Sequence, residues 1–600
     1  MVLHPIDWII AIICLSISFL PALAFAKRSG KSTSEFFASG RSVPWWLTGI
    51  SLVATTFSSD TPNLVANIVR TQGVAGNWQW WAFTLTGVAT VFFFARLWRR
   101  SGVLTDLEFY ELRYSGKSAV AVRGFRAVYL GLLFNCMIMA TVDLAACKIA
   151  SVLFGLSRWE TLLGVGILNV VFAAHSGLWG VLVIDMFQFF IKMTAVIAAA
   201  YFAVELPQVG GLSGLISKLS QMRGPGGLKY LNMLPDFTNN WTLAVAVFVM
   251  PLTVQWWAVW YPGAEPGGGS YVAQRMLASK SEKDSLGGTL FFNLAHYILR
   301  PWPWILVALA SLIVYPTLGD IRRAFPNVDP SLIGHDLAFP AMLKFLPAGW
   351  IGLMVGGLIA ANSSTILSHL NWGASYLVHD FYRRFLRPSE SERHYVTAGR
   401  LATVLLFVLS SALVFVLQTA QQSFNIILQI GAGTGLLYLL RWFWWRVTAW
   451  CEIVAMIASF GISLVFLLMS RNGKVMSPDQ QLLITVIFTT ICWLLAAYLG
   501  PQTDLQVLKD FYTRVHPFGP GWKRIRIESG ISKAEAAAWI KNDNISLAMV
   551  GWVTGVTVIW SGLFLVGNFL YGRMGYAIGI GSIFVVSTAI LIRVVNRLWN

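Results

Sequence analysis

Residues 45–62 read WWLTGISLVATTFSSDTP, and this stretch decides the fold. It begins apolar, becomes small and hydroxylated, and ends with Asp60, Thr61 and Pro62 at a depth where a membrane helix is normally still apolar. Proline lacks an amide hydrogen and disfavours helical backbone at the preceding residue, so we expect a break near Thr61. Backbone groups left unpaired inside a membrane must be satisfied by neighbours, water or an ion. The stretch therefore predicts an interrupted membrane helix beside a binding site.

The composition of the whole chain supports a membrane protein. Of its 600 residues, 56% are hydrophobic and 12% are charged, and the mean hydropathy is +0.64. Soluble domains carry roughly a quarter charged residues, so a large water-soluble enzyme and a disordered chain are excluded. The net charge of +17 is explained by basic cytoplasmic loops, so we expect a lipid bilayer and no nucleic acid as partner.

About fifteen segments are long and apolar enough to cross a bilayer. Basic clusters, such as those within 27–31 and 96–117, follow odd-numbered segments. This asymmetry predicts an N-terminus outside and a cytoplasmic C-terminus in a cell (inner) membrane. The predicted segments are 5–26, 44–70, 76–98, 124–153, 159–175, 177–205, 241–262, 287–316, 345–379, 396–418, 423–445, 448–470, 480–500, 546–570 and 574–596.

A second interrupted segment lies five spans after the first. Pro251 falls inside segment 241–262, and a glycine-rich run at 263–269 follows it. Two interrupted segments at matching positions of two halves are the sequence mark of a secondary transporter built from inverted repeats. We therefore predict an N-terminal extra helix and linker (1–43), a first repeat (44–205), an outer loop (206–240), a second repeat (241–445) and C-terminal helices (446–600) with a cytoplasmic linker near 501–545.

Several motifs resemble the sodium:solute symporter family, which includes sodium/sugar and sodium/proline symporters. The matching blocks are 34–46, 51–54, 108–114, 177–188, 274–280 and 511–522, and the resemblance covers about residues 1–525. It implies an all-α polytopic membrane protein with a LeuT-type core of five plus five inverted-repeat helices. Additional helices would bring the total to about 14–15 transmembrane segments. It also implies a transporter and not an enzyme.

The resemblance implies a sodium site that joins the interrupted helix to a later one. Its ligands would be the carbonyls of Ala54 and Phe57, with Ala361, Ser364 and Thr365 on the partner helix. Counting back from Asp380 favours this register, and the alternative is Ala360, Ser363 and Ser364. Some members hold a second sodium, but Leu367 here cannot be a ligand, so we expect one Na⁺. Coupling or gating is then the expected role of Asp185, Gln188 and Ser368.

The resemblance also implies a substrate pocket for a small solute, because polar and aromatic residues of this sequence fall at the family's pocket positions. Acid, amide, histidine and indole groups together suit the hydroxyls and C–H faces of a sugar or polyol. Arg300 has three expected roles: pairing with Asp143, pairing with Asp60, or binding a substrate carboxylate. The candidate substrate residues are Asp60, Thr61, Gln79, Gln255, Trp256, Trp257, His296 and Arg300.

The favoured function is sodium-coupled symport of a small polar organic solute by alternating access, with a sugar-like solute favoured. A proton-coupled symporter and a carboxylate or amino-acid symporter are the nearest alternatives. A transporter-like membrane sensor is a further alternative. The sequence leaves the substrate's identity and the oligomeric state open.

Overall fold

The structure is a computed structural model that describes residues 3–257, 267–417, 434–473 and 476–599. These residues form helices joined by short loops. Within the described ranges there is no β-strand, and an isolated backbone bridge joins Val43 to Ser279. The all-α prediction is confirmed.

Eleven helices among the described residues are long and apolar enough to cross a membrane. Their outward faces carry large apolar side chains, which is the surface expected against lipid. Predicted segment 423–445 falls partly outside the described residues, which here include the helix Gly435–Phe443. The eleven spans are Pro5–Phe25, Val74–Ser101, Gly116–Phe154, Gly177–Val204, Glu282–Val314, Trp350–Leu386, Glu392–Leu413, Ala449–Phe466, Pro478–Leu499, Ile545–Leu570 and Met574–Leu598.

The interrupted segment is a pair of helices, Trp45–Thr56 and Asp60–Gln72, which we call the broken helix. The break lies at 57–59, so the expectation of non-helical backbone at Thr61 is wrong. Pro62 falls in the first turn of the second half. Amide hydrogens in the first turn have no intrahelical acceptor, so a proline, which lacks this hydrogen, is tolerated there. Pro62 thus helps to start a new helix just after the break.

The helix Arg158–Val204, which we call the kinked helix, changes direction at Gly177. Gly177 has a φ of 57° and a ψ of −166°, backbone angles that glycine adopts without the steric cost of a Cβ. The kink separates 158–176 from 177–204, where the sequence predicts two spans. Asp185 and Gln188 lie on the second part.

The second predicted interruption is also irregular in the structure. A π-helical turn, Val245–Val249, joins Trp241–Ala244 to Met250–Thr253, and the short 3₁₀ turn Gln255–Trp257 follows. The next residues, 258–266, lie outside the described ranges and include Glu265 and most of the glycine-rich run.

Short helices connect the spans. Among them, the helix Leu505–Val515 lies in the predicted linker 501–545 and buries Leu508, Phe511 and Val515. The cytoplasmic position of this linker stays a prediction. The connecting helices include Thr33–Ala38, Glu108–Arg113, Gly211–Gln221, Ser270–Ala278, Leu318–Ala324, Leu505–Val515, Lys523–Glu528 and Lys533–Asp543.

Three elements meet at the centre of the molecule. The kinked helix packs along Trp350–Ser375, which we call the serine-rich helix, and both contact the first half of the broken helix. Nearly the whole serine-rich helix is buried. This packing sets hydroxyl groups against the break at 57–59.

Candidate functional site

The break in the broken helix exposes backbone carbonyls that have lost their helical partners. Residues after Thr56 leave the helix, so the last carbonyls of the first half need other donors. The carbonyls of Ala54 and Phe57, both predicted sodium ligands, accept hydrogen bonds from the ammonium of Lys192 on the kinked helix. The Nζ–O distances are 2.8 Å and 3.2 Å. A cation of this chain therefore lies where a sodium ligand set is predicted.

The serine-rich helix supplies the predicted hydroxyls. Thr365 Oγ1 donates to the carbonyl of Thr55 at 2.7 Å and lies 3.3 Å from the carbonyl of Ala361. Ser364 Oγ donates to Asp185 Oδ1 at 2.5 Å. Ser363, the residue of the alternative register, is buried and has no hydrogen-bond partner among the described residues. Ser364 and Thr365 are thus the hydroxyls that reach the neighbouring helices.

Asp185 ties three elements together in the buried centre. Besides Ser364, its carboxylate accepts from Ser51 on the broken helix at 2.5 Å, and an Arg275 nitrogen lies 3.9 Å from it. Arg275 also donates to Ser368 at 2.7 Å. Ser368 in turn lies 2.8 Å from Thr55 Oγ1. The predicted coupling residues Asp185 and Ser368 therefore both contact the first half of the broken helix.

Gln188 is the third predicted coupling residue, and it is a buried amide. Neither its oxygen nor its nitrogen has a hydrogen-bond partner among the described residues. An unpaired buried amide is costly. It lies between Asp185 and Lys192 along one face of the kinked helix, at spacings of i+3 and i+7. This face carries an acid, an amide and an amine toward the cation site.

Four of the predicted substrate residues lie beside the break. Arg300 donates to the carbonyl of Val53 at 3.1 Å and to Thr56 Oγ1 at 2.8 Å. Thr56 Oγ1 also lies 3.2 Å from His296 Nδ1. Asp60 and Thr61 open the second half of the broken helix, where the Ser58 hydroxyl contacts both.

Arg300 therefore forms no direct ion pair with either acid expected for it, among the described residues. No ion pair joins Arg300 to Asp143 or Asp60 in the described part of the chain, and Asp143 instead accepts from Asn362 at 2.8 Å. The guanidinium lies over the rings of Phe57 and Trp304, which stabilises a buried cation. Arg300 Nε and His296 Nε2 are buried without a hydrogen-bond partner among the described residues, so each offers a site for a bound polar molecule.

The other four predicted substrate residues contact a different set of groups. Gln255 donates to the carbonyl of Gln79 at 2.8 Å, and the Gln79 amide contacts Gln72. Trp257 donates to Thr253 at 2.9 Å. Trp256 lies 6.4 Å, centroid to centroid, from the ring of Trp552. Trp80, the residue after Gln79, connects these four residues to the four beside the break. The ring of Trp80 lies 6.0 Å from the ring of His296.

Lys192 is the site residue that the sequence interpretation missed. A signal was available, because a charged side chain inside an apolar span marks a function by default. Lys192 also lies seven residues after Asp185, which places both on one helix face. The partner of its ammonium is a pair of backbone carbonyls, which no side-chain motif reveals.

A second group of charges, which we call the inner ion-pair cluster, lies around Arg123 and Asp380. Arg123 Nε donates to Asp380 Oδ1 at 2.8 Å, and Thr105 donates to the same oxygen at 2.9 Å. Arg123 Nη1 reaches Glu111 at 2.5 Å. Burial by itself raises the pKa of Glu108, but the contacts with His379 and Arg123 lower it by a larger amount. The net result is a pKa of about 2. The cluster therefore holds Glu108 in its ionised form close to Arg123.

Comparisons with known proteins agree with this architecture. The family model described as "Sodium:solute symporter family" matches residues 36–459. A sodium/glucose cotransporter of Vibrio parahaemolyticus is 26% identical over 480 residues, which cover 78% of this chain and 84% of that protein. Sodium/glucose cotransporter 1 of Oryctolagus cuniculus is 24% identical, and the match covers 69% of this chain and 64% of that protein.

A solved structure has the same fold. It is the substrate-bound outward-open state of a Na⁺-coupled sialic acid symporter, with a TM-score of 0.64 and 18% sequence identity. The match covers 84% of this chain and 99% of that one. Together with the interrupted helices, the multi-pass architecture and the family match over most of the chain, this shows that the protein belongs to the sodium:solute symporter family.

Proposed function

We propose that this protein couples the entry of Na⁺ to the entry of a sugar-like solute by alternating access. The observation that carries the proposal is the contact of the Thr365 hydroxyl with the carbonyl of Thr55, next to the helix break, with Ser364 beside it on the serine-rich helix. Neutral oxygen ligands suit a hard monovalent cation, and the residues present offer five of them. The proposed sodium ligands are Ala54, Phe57, Ala361, Ser364 and Thr365.

The solute site lies beside the sodium site on the same broken helix. The unpaired nitrogens of Arg300 and His296 are donors or acceptors for hydroxyl groups, and the Asp60 carboxylate is an acceptor. The printed names of the two relatives, sodium/glucose cotransporters, support a sugar-like solute. The proposed solute residues are Asp60, Thr61, Gln79, Gln255, Trp256, Trp257, His296 and Arg300.

Coupling follows from shared elements. The first half of the broken helix carries the sodium-site carbonyls and, one residue along, the Val53 and Thr56 groups that hold Arg300. A cation that orders this half also orders the solute site. Asp185, Gln188 and Ser368 link the movement to the kinked and serine-rich helices. The membrane potential adds about 2.3 kcal/mol per charge per 100 mV to the driving force.

The membrane setting completes the proposal. The N-terminus lies outside and the C-terminus in the cytoplasm of a cell (inner) membrane, and the repeats are 44–205 and 241–445. Transport requires no covalent chemistry, so we propose that the protein is not an enzyme.

Uptake into proteoliposomes tests the function. Labelled glucose, mannose, myo-inositol, proline and sialic acid are offered with an inward sodium gradient or an equal potassium gradient. We expect one sugar-like solute to accumulate in sodium only. The double variant Ser364→Ala/Thr365→Ala should lower uptake by more than about 100-fold, since it removes two bonds to a charged group that contribute about 1.5–3 kcal/mol each.

Ser363→Ala is the matched control, because it removes the neighbouring hydroxyl that has no partner. We expect uptake within about twofold of wild type, since no hydrogen bond is lost. Uptake that is equal in sodium and potassium for every solute would overturn the sodium-coupled function. Accumulation of proline alone would overturn the sugar assignment.

A further inference from the structure

The Lys192 ammonium contacts two of the five proposed sodium ligands. It lies 2.8 Å from the Ala54 oxygen and 3.2 Å from the Phe57 oxygen, and the residue is 1% exposed. The ring of Phe57 lies 5.2 Å from the same nitrogen. Two carbonyls and an aromatic face are a favourable setting for one positive charge. An ammonium and a sodium ion cannot both use these oxygens.

The remaining proposed ligands are engaged elsewhere while the ammonium is in place. The Thr365 hydroxyl donates to Thr55, and the Ser364 hydroxyl donates to Asp185. Each oxygen of the set therefore has a partner that is part of the protein. The arrangement is complete with one cation, and that cation is covalently attached to the chain.

The kinked helix also offers the ammonium a second place to bind. Gln188 lies one turn before Lys192, is fully buried, and has an amide oxygen with no partner among the described residues. Asp185 lies one further turn along the same face. The other charged groups around this face are Arg275, 3.9 Å from Asp185, and Arg300 beside Phe57. An ammonium that leaves the carbonyls would satisfy the Gln188 amide and approach the Asp185 carboxylate.

We propose that the Lys192 ammonium is a tethered cation that competes with sodium for the Ala54 and Phe57 carbonyls. Sodium binds only after Lys192 has moved off these oxygens toward Gln188 and Asp185. The inference rests on the proposed sodium site. It adds a step to sodium binding, in which one bound cation, the Lys192 ammonium, is exchanged for another, the sodium ion. The exchange keeps one positive charge at the break of the helix before and after sodium arrives.

Removal of the tethered cation should tighten sodium binding. A competitor that fills a site at least nine-tenths of the time weakens the apparent affinity at least about tenfold. Lys192→Met keeps the length of the side chain and removes its charge. The measurement is the thermal unfolding temperature of purified protein as sodium chloride replaces choline chloride at constant ionic strength. We expect the half-saturating sodium concentration of K192M to be at least about tenfold lower than that of wild type.

Lys148→Met is the matched control. Lys148 is also a buried lysine, and it lies on a different helix from Lys192. Its ammonium lies 2.6 Å from the Asp336 carboxylate. K148M should lower the unfolding temperature and leave the half-saturating sodium concentration unchanged. Lys192→Arg keeps the charge and should stay near wild type in sodium. If K192M does not fold, Lys192→Gln gives the same comparison without the charge.

The outcomes separate this inference from the proposed function. Equal half-saturating sodium concentrations for wild type and the uncharged variants would overturn the competition, even if sodium drives sugar uptake. Loss of sodium stabilisation in K192M would also overturn it, because Lys192 would then support sodium binding. If sodium binding tightens but neither protein takes up a sugar in sodium, the competition stands and the proposed function fails.

Discussion

Asp185 and Asp380 are both fully buried and lie near an arginine, but they are satisfied in different ways. Asp380 is held directly by Arg123 at 2.8 Å. Asp185 accepts from two serine hydroxyls, and its arginine lies 3.9 Å away. A direct buried ion pair is costly to break, whereas hydroxyl donors rotate and exchange partners at small cost. The comparison indicates that the inner ion-pair cluster fixes structure and that the centre of the molecule is built to change partners.

The largest expected effect is the loss of the direct ion pair. Arg123→Met leaves Asp380 buried without its cation, and breaking a buried pair from one side costs about 3–5 kcal/mol. We expect a lower free energy of unfolding in detergent, measured by thermal and denaturant unfolding. Arg384→Met is the control, because Arg384 pairs with Glu111 while partly exposed, and such pairs contribute about 0–1 kcal/mol. If both variants lost the same free energy of unfolding, the distinction that we draw between the buried and the partly exposed ion pair would be wrong.

A neutral amide at the central acid should affect transport more than stability. Asp185→Asn keeps the shape of the side chain and removes the charge that faces Arg275 and Lys192. Hydrogen bonds to a charged group contribute about 1.5–3 kcal/mol, so we expect sodium-driven uptake to fall about 10- to 100-fold. Asp143→Asn is the control, since Asp143 is a buried acid that accepts from Asn362 outside the site. If D143N reduces uptake as much as D185N, the central position of Asp185 has no special role.

The smallest expected effect compares one hydroxyl at each acid. Ser51 donates to Asp185 and Thr105 donates to Asp380. Each acid keeps another donor, Ser364 or Arg123, so we expect the loss of one hydroxyl to cost only about 1 kcal/mol. Ser51→Ala should slow uptake several-fold and change the unfolding temperature little. Thr105→Val should lower the unfolding free energy by about 1 kcal/mol and leave uptake unchanged. If Ser51→Ala instead lowered the unfolding free energy and Thr105→Val instead slowed uptake, the roles that we give to the two regions would be reversed.

Much of the fold could be predicted because its signals are local. Hydropathy along the chain defined the apolar spans, and small hydroxylated residues before Pro62 indicated the broken helix. The separation of 159–175 from 177–205 matched a kink at Gly177, where the backbone adopts a positive φ. The exact position of the break was missed, because the effect of a proline depends on where it falls in a helix. Proline is tolerated in the first turn and disrupts the helix in later turns.

The candidate site was only partly predictable. Motif spacing selected Ser364 and Thr365. In the structure the Thr365 hydroxyl contacts the broken helix, and the Ser364 hydroxyl contacts Asp185 on the kinked helix. It also suggested acid partners for Arg300, which instead donates to a carbonyl and a hydroxyl. Side-chain identity sets which bonds are possible, but the rotation of each helix decides which are made. Arg300 is surrounded by several acceptors, and sequence spacing does not rank them.

Composition and local pattern were enough to establish the membrane class, the interrupted helices and the residue types available at the centre. These follow from composition, proline chemistry and helical period, which act within a few residues. Helix packing, in contrast, brings Lys192 to the carbonyl of Ala54, 138 residues away, and Ser364 to Asp185, 179 residues away. Such contacts depend on how separate helices pack and rotate against one another. A backbone carbonyl, moreover, has the same chemistry at every residue, so no sequence motif identifies the one that a distant lysine will find.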